Sequence, residues 1–274
     1  MQRIAFLHIP KTAGATLRSI IQRNYSLREL YPMDTERART AFQQMPEETK
    51  DRIKVVYGHF CMDVASWLPG DLVFISMLRD PIERTISSYY YERYVRKTEP
   101  AVSLPLRAFI QQGGYLPGDN WMVRCFSGAS ESVPFGRCTP QMLEAAKSAA
   151  DRFALIGLSE RFDESYAMLC QMFGWRVRYA SARNINPHRT PLGDSSPEDI
   201  ACIEQHNRFD IAFYDYCARR LEQQLADTNI APQLRELKRR RESTWCRMLD
   251  AYSQTAIGRS RRVAKTLFGM RQFG

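Results

Sequence analysis

Lys11, Thr12, Thr16, Arg79 and Ser87 are the side chains of this sequence best suited to hold an anion, and His59 is the one best placed to move a proton. The first three of these belong to a single short stretch. An apolar run from Ile4 to Ile9 breaks at Pro10, passes through Lys11, Thr12 and Gly14, and re-enters at helical spacing through Leu17, Ile20 and Ile21. Strand, loop and helix in that order aim free backbone N–H groups and the positive end of a helix dipole at one point, where an anionic oxygen can sit. Lys11 adds a full charge, Thr12 and Thr16 add hydroxyl donors, and Gly14 lets the backbone approach a ligand with no side chain in between. A basic strand-to-helix turn capped by a threonine would use the same residues, so the loop alone leaves both readings open.

The loop is not a Walker A sequence, because Lys11 precedes Gly14 instead of following the last glycine and meeting a Ser or Thr. No apolar run ends in an Asp placed to hold magnesium, which points to a donor handled without a metal. His59 follows a short apolar run, Ile53 to Tyr57, and open α/β sheets collect ligands at the carboxyl ends of their strands. Histidine also titrates near neutrality, as a general base must. Arg79 ends the clearest central strand, Asp71 to Leu78, and Pro81 to Arg96 then reads as a helix with Pro81 in its first turn. Arg79 and Ser87, about two helical turns apart, can face one phosphate. Pairing of Arg79 with Asp80 or Glu83 is the structural alternative.

Strand, loop and helix recurring along 274 residues argue one sizeable α/β domain. The net charge of +9 invites nucleic acid, yet from Ala231 onward there are 11 Lys and Arg against 3 Asp and Glu, so the body is nearly neutral. A nucleic-acid face belongs on the folded body, and that reading is set aside. The seven cysteines, at 61, 125, 138, 170, 202, 217 and 246, are odd in number and never spaced C-x-x-C, which suggests neither zinc nor a disulfide framework. Reduced thiols, a first strand close to Met1 and no long apolar run imply a cytoplasmic protein.

The blocks His8-Ile9-Pro10-Lys11-Thr12-Ala13-Gly14-Ala15-Thr16, Gly58-His59, and Leu78-Arg79-Asp80-Pro81-Ile82-Glu83-Arg84 with Ser87 and Tyr89-Tyr90-Tyr91 resemble the Golgi-type carbohydrate sulfotransferases. The likeness is to the heparan sulfate 2-O- and 6-O-sulfotransferases in particular and to their bacterial counterparts. Asp119 to Gly128, Phe153 to Ser165 with Ser159 as helix cap, Arg183 to Pro187 and Asn207 to Tyr214 continue it, for coverage from about Arg3 to about Leu225.

That resemblance implies a three-layer P-loop-like sandwich with a central parallel β-sheet and 3′-phosphoadenosine 5′-phosphosulfate as donor, with no metal. Lys11, Thr12, Ala13, Gly14, Ala15 and Thr16 would hold the 5′-phosphosulfate, with Lys11 facing the departing oxygen. Arg79 and Ser87 would hold the 3′-phosphate, and His59 would take the proton of an acceptor hydroxyl, on a saccharide or glycolipid. Ala15 departs from the family, where Thr or Ser is commoner. Asn120 and Arg124 read either as cleft residues or as a helix pair, and Arg183 and Asn184 as adenine neighbours or as loop. The expected division is a sulfotransferase domain over 1–230 and a basic helical extension over 231–274. In the extension Ile257, Val263, Ala264, Leu267 and Phe268 share one side, a pattern open to peripheral membrane contact but equally to a solvated tail. A kinase-like phosphotransferase and a non-catalytic nucleotide-binding scaffold are the competing functions.

Overall fold

The apolar runs form the strands of one five-stranded parallel sheet, in the order β2-β3-β1-β4-β5. The strands are β1 (Arg3–Leu7), β2 (Leu30–Pro32), β3 (Val55–Gly58), β4 (Leu72–Leu78) and β5 (Phe153–Leu158). The computed structural model describes residues 2–68, 70–112, 115–129, 132–179 and 195–248. Central β1 pairs with β3 and β4, Leu7 lying opposite Gly58 on one side and Ser76 on the other. Ile4, Phe6, Leu7, Val55, Val56, Ile75 and Leu78 are all buried, so both faces of the sheet are covered, as parallel sheets require.

The helices are α1 (Gly14–Ile21), α2 (Glu36–Gln43), α3 (Glu47–Lys50), α4 (Pro81–Tyr91), α5 (Leu106–Gln111), α6 (Trp121–Phe126), α7 (Pro140–Ala150), α8 (Phe162–Phe173), α9 (Pro197–His206), α10 (Arg208–Ala226) and α11 (Ala231–Glu242). Local chemistry sets several of the starts. Thr35 caps α2 by accepting from the Ala38 N–H, and Asp80 caps α4 by accepting from Glu83, with Pro81 in the first turn. Helix α4 runs on into a π-helical turn, Glu92–Arg96, so the expected helix to Arg96 changes its hydrogen-bonding pattern at Tyr91. A smaller core beside α4 gathers Ile86, Tyr89, Phe109, Ile110 and Ile203.

Ser159 is not the cap of the following helix. Arg161 occupies that position, and the Ser159 hydroxyl donates to the Leu78 carbonyl at 3.1 Å, tying the end of β5 to β4. Helix α11, in the first part of the expected extension, packs on α8 with Leu237 buried. No helix of the described residues is long and apolar enough to cross a membrane. Arg183, Asn184 and the apolar positions between Ile257 and Phe268 lie outside the described residues. All seven cysteines are free.

Candidate functional site

The loop after β1 is held in an uncommon conformation. Lys11 and Ala13 both have positive φ, 70° and 61°, and Ala13 stands in the left-handed region immediately before α1. Each such non-glycine residue costs roughly 1–2 kcal/mol, an outlay that clusters at ligand sites. A left-handed residue followed by a helical one turns successive N–H groups into one concavity, an anion nest. The backbone N–H groups of Ala13, Gly14 and Ala15 have no hydrogen-bond acceptor among the described residues. Lys11 holds its ammonium 4.1 Å from the centre of the Tyr91 ring.

Two expectations about this loop change. The Thr12 side chain is fully buried and its hydroxyl donates to the Ile9 carbonyl at 2.8 Å, so it locks the turn and leaves only its backbone N–H to a ligand. Gly14 is helical, and its necessity lies on the protein side. A β-carbon there would come within 2.0 Å of His8 Cδ2 and 2.3 Å of Nε2, so the loop folds directly over the His8 imidazole.

His8 in turn carries His59. The two rings stack with centroids 5.1 Å apart and 22° between planes, and His59 Nδ1 lies 2.6 Å from the His8 carbonyl oxygen. A carbonyl only accepts, so Nδ1 carries a proton, and in the neutral ring the lone pair of the exposed His59 is on Nε2. His8 is different: its Nδ1 is enclosed without a hydrogen-bond partner among the described residues. Burial, reinforced by His59, Arg18 and Lys11, pushes its pKa down to about 3, so it stays neutral.

Arg79, at the carboxyl end of β4, reaches the same loop. Its Nη1 donates to the Lys11 carbonyl at 3.4 Å, while Nη2 pairs with Glu83 at 2.8 Å. The structural alternative, pairing with Glu83, is therefore formed, and the other arm of the guanidinium lies at the Lys11 loop. Burial lowers the Arg79 pKa, but a guanidinium remains charged. Ser87 follows Glu83 by four residues on the same face of α4 and is 9% exposed.

One residue near His59 escaped the sequence reading. Asp34 lies just past β2, and a carboxylate oxygen of Asp34 and ring nitrogens of His8 and His59 are all within 4.8 Å of one another. These are metal-ligand types, and Arg18 is in ion-pair contact with Asp34 at 2.8 Å. No pattern in the sequence marks Asp34, because β2 is a three-residue strand in a polar segment.

Asn120 and Arg124 belong to the frame instead of the cleft. Arg124 is fully buried in an ion pair with Asp119 and bonds the Val133 and Pro134 carbonyls. The Asn120 side-chain oxygen accepts from the Phe209 and Asp210 N–H groups, at 2.8 and 3.1 Å.

Lys11, His59 and Arg79 thus stand past the ends of three strands, β1, β3 and β4, with Arg79 bonded to the Lys11 loop and His59 stacked on the His8 ring beneath it. A search of curated proteins finds no match. The sequence model of the galactose-3-O-sulfotransferase family matches residues 1–256, well into the basic extension and across the whole site. The match corrects the finer likeness to the heparan sulfate enzymes while keeping the broader class of carbohydrate sulfotransferases. With the parallel sheet, the nest and nearly the whole chain inside one match, the chain belongs to the galactose-3-O-sulfotransferase family.

Proposed function

We propose that this sulfotransferase moves the sulfuryl group of 3′-phosphoadenosine 5′-phosphosulfate to a sugar hydroxyl, with His59 as general base. The observation that carries this reading is the His59 Nδ1 contact with the His8 carbonyl, because His8 also forms the floor under Gly14 of the anion nest. Base and anion cradle share one support. The donor supplies an activated sulfuryl group on a phosphate leaving group.

The residues present fit it: the N–H groups of Ala13, Gly14 and Ala15 suit the 5′ phosphosulfate oxygens, along with the Thr12 N–H and the Thr16 hydroxyl. Lys11 can leave the Tyr91 face to meet negative charge on the departing oxygen. Arg79 and Ser87 suit the 3′-phosphate, Arg79 by exchanging Glu83 for a dianion. His59 Nε2 takes the acceptor's proton as the hydroxyl attacks in line. The family's name adds an acceptor class, the 3-hydroxyl of a galactose residue, where an acceptor screen begins.

Calorimetric titration with 3′-phosphoadenosine 5′-phosphate tests the donor. Binding is expected with or without chelator, and Arg79→Ala weakens it by at least tenfold, on the order of 1.4 kcal/mol. His59→Gln keeps that affinity and loses turnover by about 10²-fold or more. Binding of ATP with magnesium alone would move the assignment to a phosphotransferase, and unchanged turnover in His59→Gln would remove the base.

A further inference from the structure

The peptide that carries Asp34 is stitched to the end of the strand that carries His59. Met33 donates its N–H to Tyr57 and accepts from the Phe60 N–H, at 2.8 and 3.2 Å. Gly58, with φ 150°, has no room for a side chain: a β-carbon would lie 2.3 Å from the Met33 carbonyl and 2.8 Å from the Asp34 nitrogen. Asp34 is thus fixed on the His59 side of the sheet edge. Its carboxylate oxygens are enclosed and make no aligned hydrogen bond among the described residues, so the Arg18 contact is an ion pair only. An enclosed carboxylate without hydrogen bonds is an uncommon thing to keep unless its charge is used.

We propose that Asp34 is a positioning residue for His59, an anion that favours the imidazolium formed during proton abstraction. The inference rests on His59 being the general base. In that step the acceptor O–H proton passes to His59 Nε2 and the acceptor oxygen bonds to sulfur. The bond from sulfur to the phosphate oxygen breaks, and its electron pair leaves on that oxygen. Positive charge appears on the His59 ring and stays there until solvent removes the proton. An opposite charge within about 4–6 Å favours the charged form of a group, and a carboxylate oxygen of Asp34 lies within 4.8 Å of a His59 ring nitrogen. Lys11 and Arg18 act on neutral His8 at this corner, and Cys61 beside it feels Asp34, Asp63 and Arg18 together.

The test compares Asp34→Asn, Asp34→Glu and Arg18→Gln with the wild type. Asp34→Asn is expected to lower kcat by about 10- to 100-fold while leaving affinity for 3′-phosphoadenosine 5′-phosphate within about twofold, and Asp34→Glu to recover most of the loss. Arg18→Gln breaks the same ion pair but keeps the carboxylate, so its kcat stays at or above the wild-type level. Equal losses in Asp34→Asn and Arg18→Gln would make the pair a structural brace and overturn the proposal. So would an unchanged kcat, or restoration of activity by added zinc.

A second readout needs no turnover. The ring 15N resonances of His59, assigned by their disappearance in His59→Gln, move in Asp34→Asn if the carboxylate acts on that ring and stay in place if it does not. Failure of the functional reading appears separately, as wild-type protein that binds no 3′-phosphoadenosine 5′-phosphate or a His59→Gln variant with full activity.

Discussion

His8 does three things with one imidazole and one carbonyl: it lies under Gly14, stacks on His59 and accepts the His59 Nδ1 proton. The Phe6 ring also stacks on the His8 imidazole, with centroids 5.7 Å apart. Gly14→Ala therefore drives a methyl into the ring, and the displacement passes to His59. The expected result is a kcat at least tenfold lower and a loss of about 1–3 kcal/mol in unfolding free energy, the usual range for overpacking. Urea unfolding and steady-state kinetics on one preparation measure both, and a fully active Gly14→Ala would show that His8 does not transmit the shift. The sequence made Lys11, His59 and Arg79 legible because charge and strand-end position are local properties. The duties of His8 and Asp34 were not, since both meet His59 only because β1 and β2 flank β3 in the sheet while lying far from it in the chain.

At the scale of elements, the short helix α6 is held by charge from outside itself. Asp210 on α10 accepts from the Met122 and Val123 N–H groups at 3.0 and 2.8 Å, capping the start of α6 from a neighbouring helix. Burial raises the Asp210 pKa to about 6, against the opposing pull of nearby Arg84 and those two N–H groups. An acid raised in the fold gives stability that is present below its ordinary value of 3.8 and is lost as pH rises through about 6. His8 works in the reverse direction: lowered from 6.5 to about 3, it gives stability present above 6.5 and lost as pH falls. Each contributes up to about 1.4 kcal/mol per pH unit, so the two oppose each other between roughly pH 4 and 6. Single variants separate them. Measured against His8→Gln, the wild type should lose relative stability on acidification from pH 7 to 4; against Asp210→Asn, it should lose it on moving from pH 4 to 7. Urea midpoints at four pH values decide this, and flat difference curves would mean that neither group keeps its shifted titration in solution. Asn120 and Arg124 were open to a cleft reading for the same reason α6 needs help: polar side chains on a short helix look functional until their buried partners on α10 and in the turn at Val133 and Pro134 are known.

Across the whole molecule, the strand order sets the site's position. The chain leaves β1 toward β2 on one side, and leaves β4 toward β5 on the other, so the crevice between β1 and β4 is the topological switch point where open α/β sheets bind ligands. Arg79 bridges that crevice by its contact with the Lys11 carbonyl, and His59 stands on the far side of β1, at the end of β3. Nothing in this arrangement draws on α11, which lies against α8 with Leu237 6% exposed and Leu234 partly buried beside it. Arg239 and Arg240 pair with Glu236 of the same helix, and Arg241 pairs with Asp163 of α8, one ion pair between the extension and the body. The first turns of the extension therefore act as a brace on the fold instead of a free tail. Composition could not reveal this, because three apolar residues among many basic ones leave only a faint helical stripe. Leu237→Ala is expected to lower unfolding free energy by about 2 kcal/mol, the low end for a leucine truncation at a core margin, with affinity for 3′-phosphoadenosine 5′-phosphate unchanged. Thermal melts and calorimetry on the same variant measure the two quantities, and weakened nucleotide binding at unchanged stability would mean that α11 reaches the site after all.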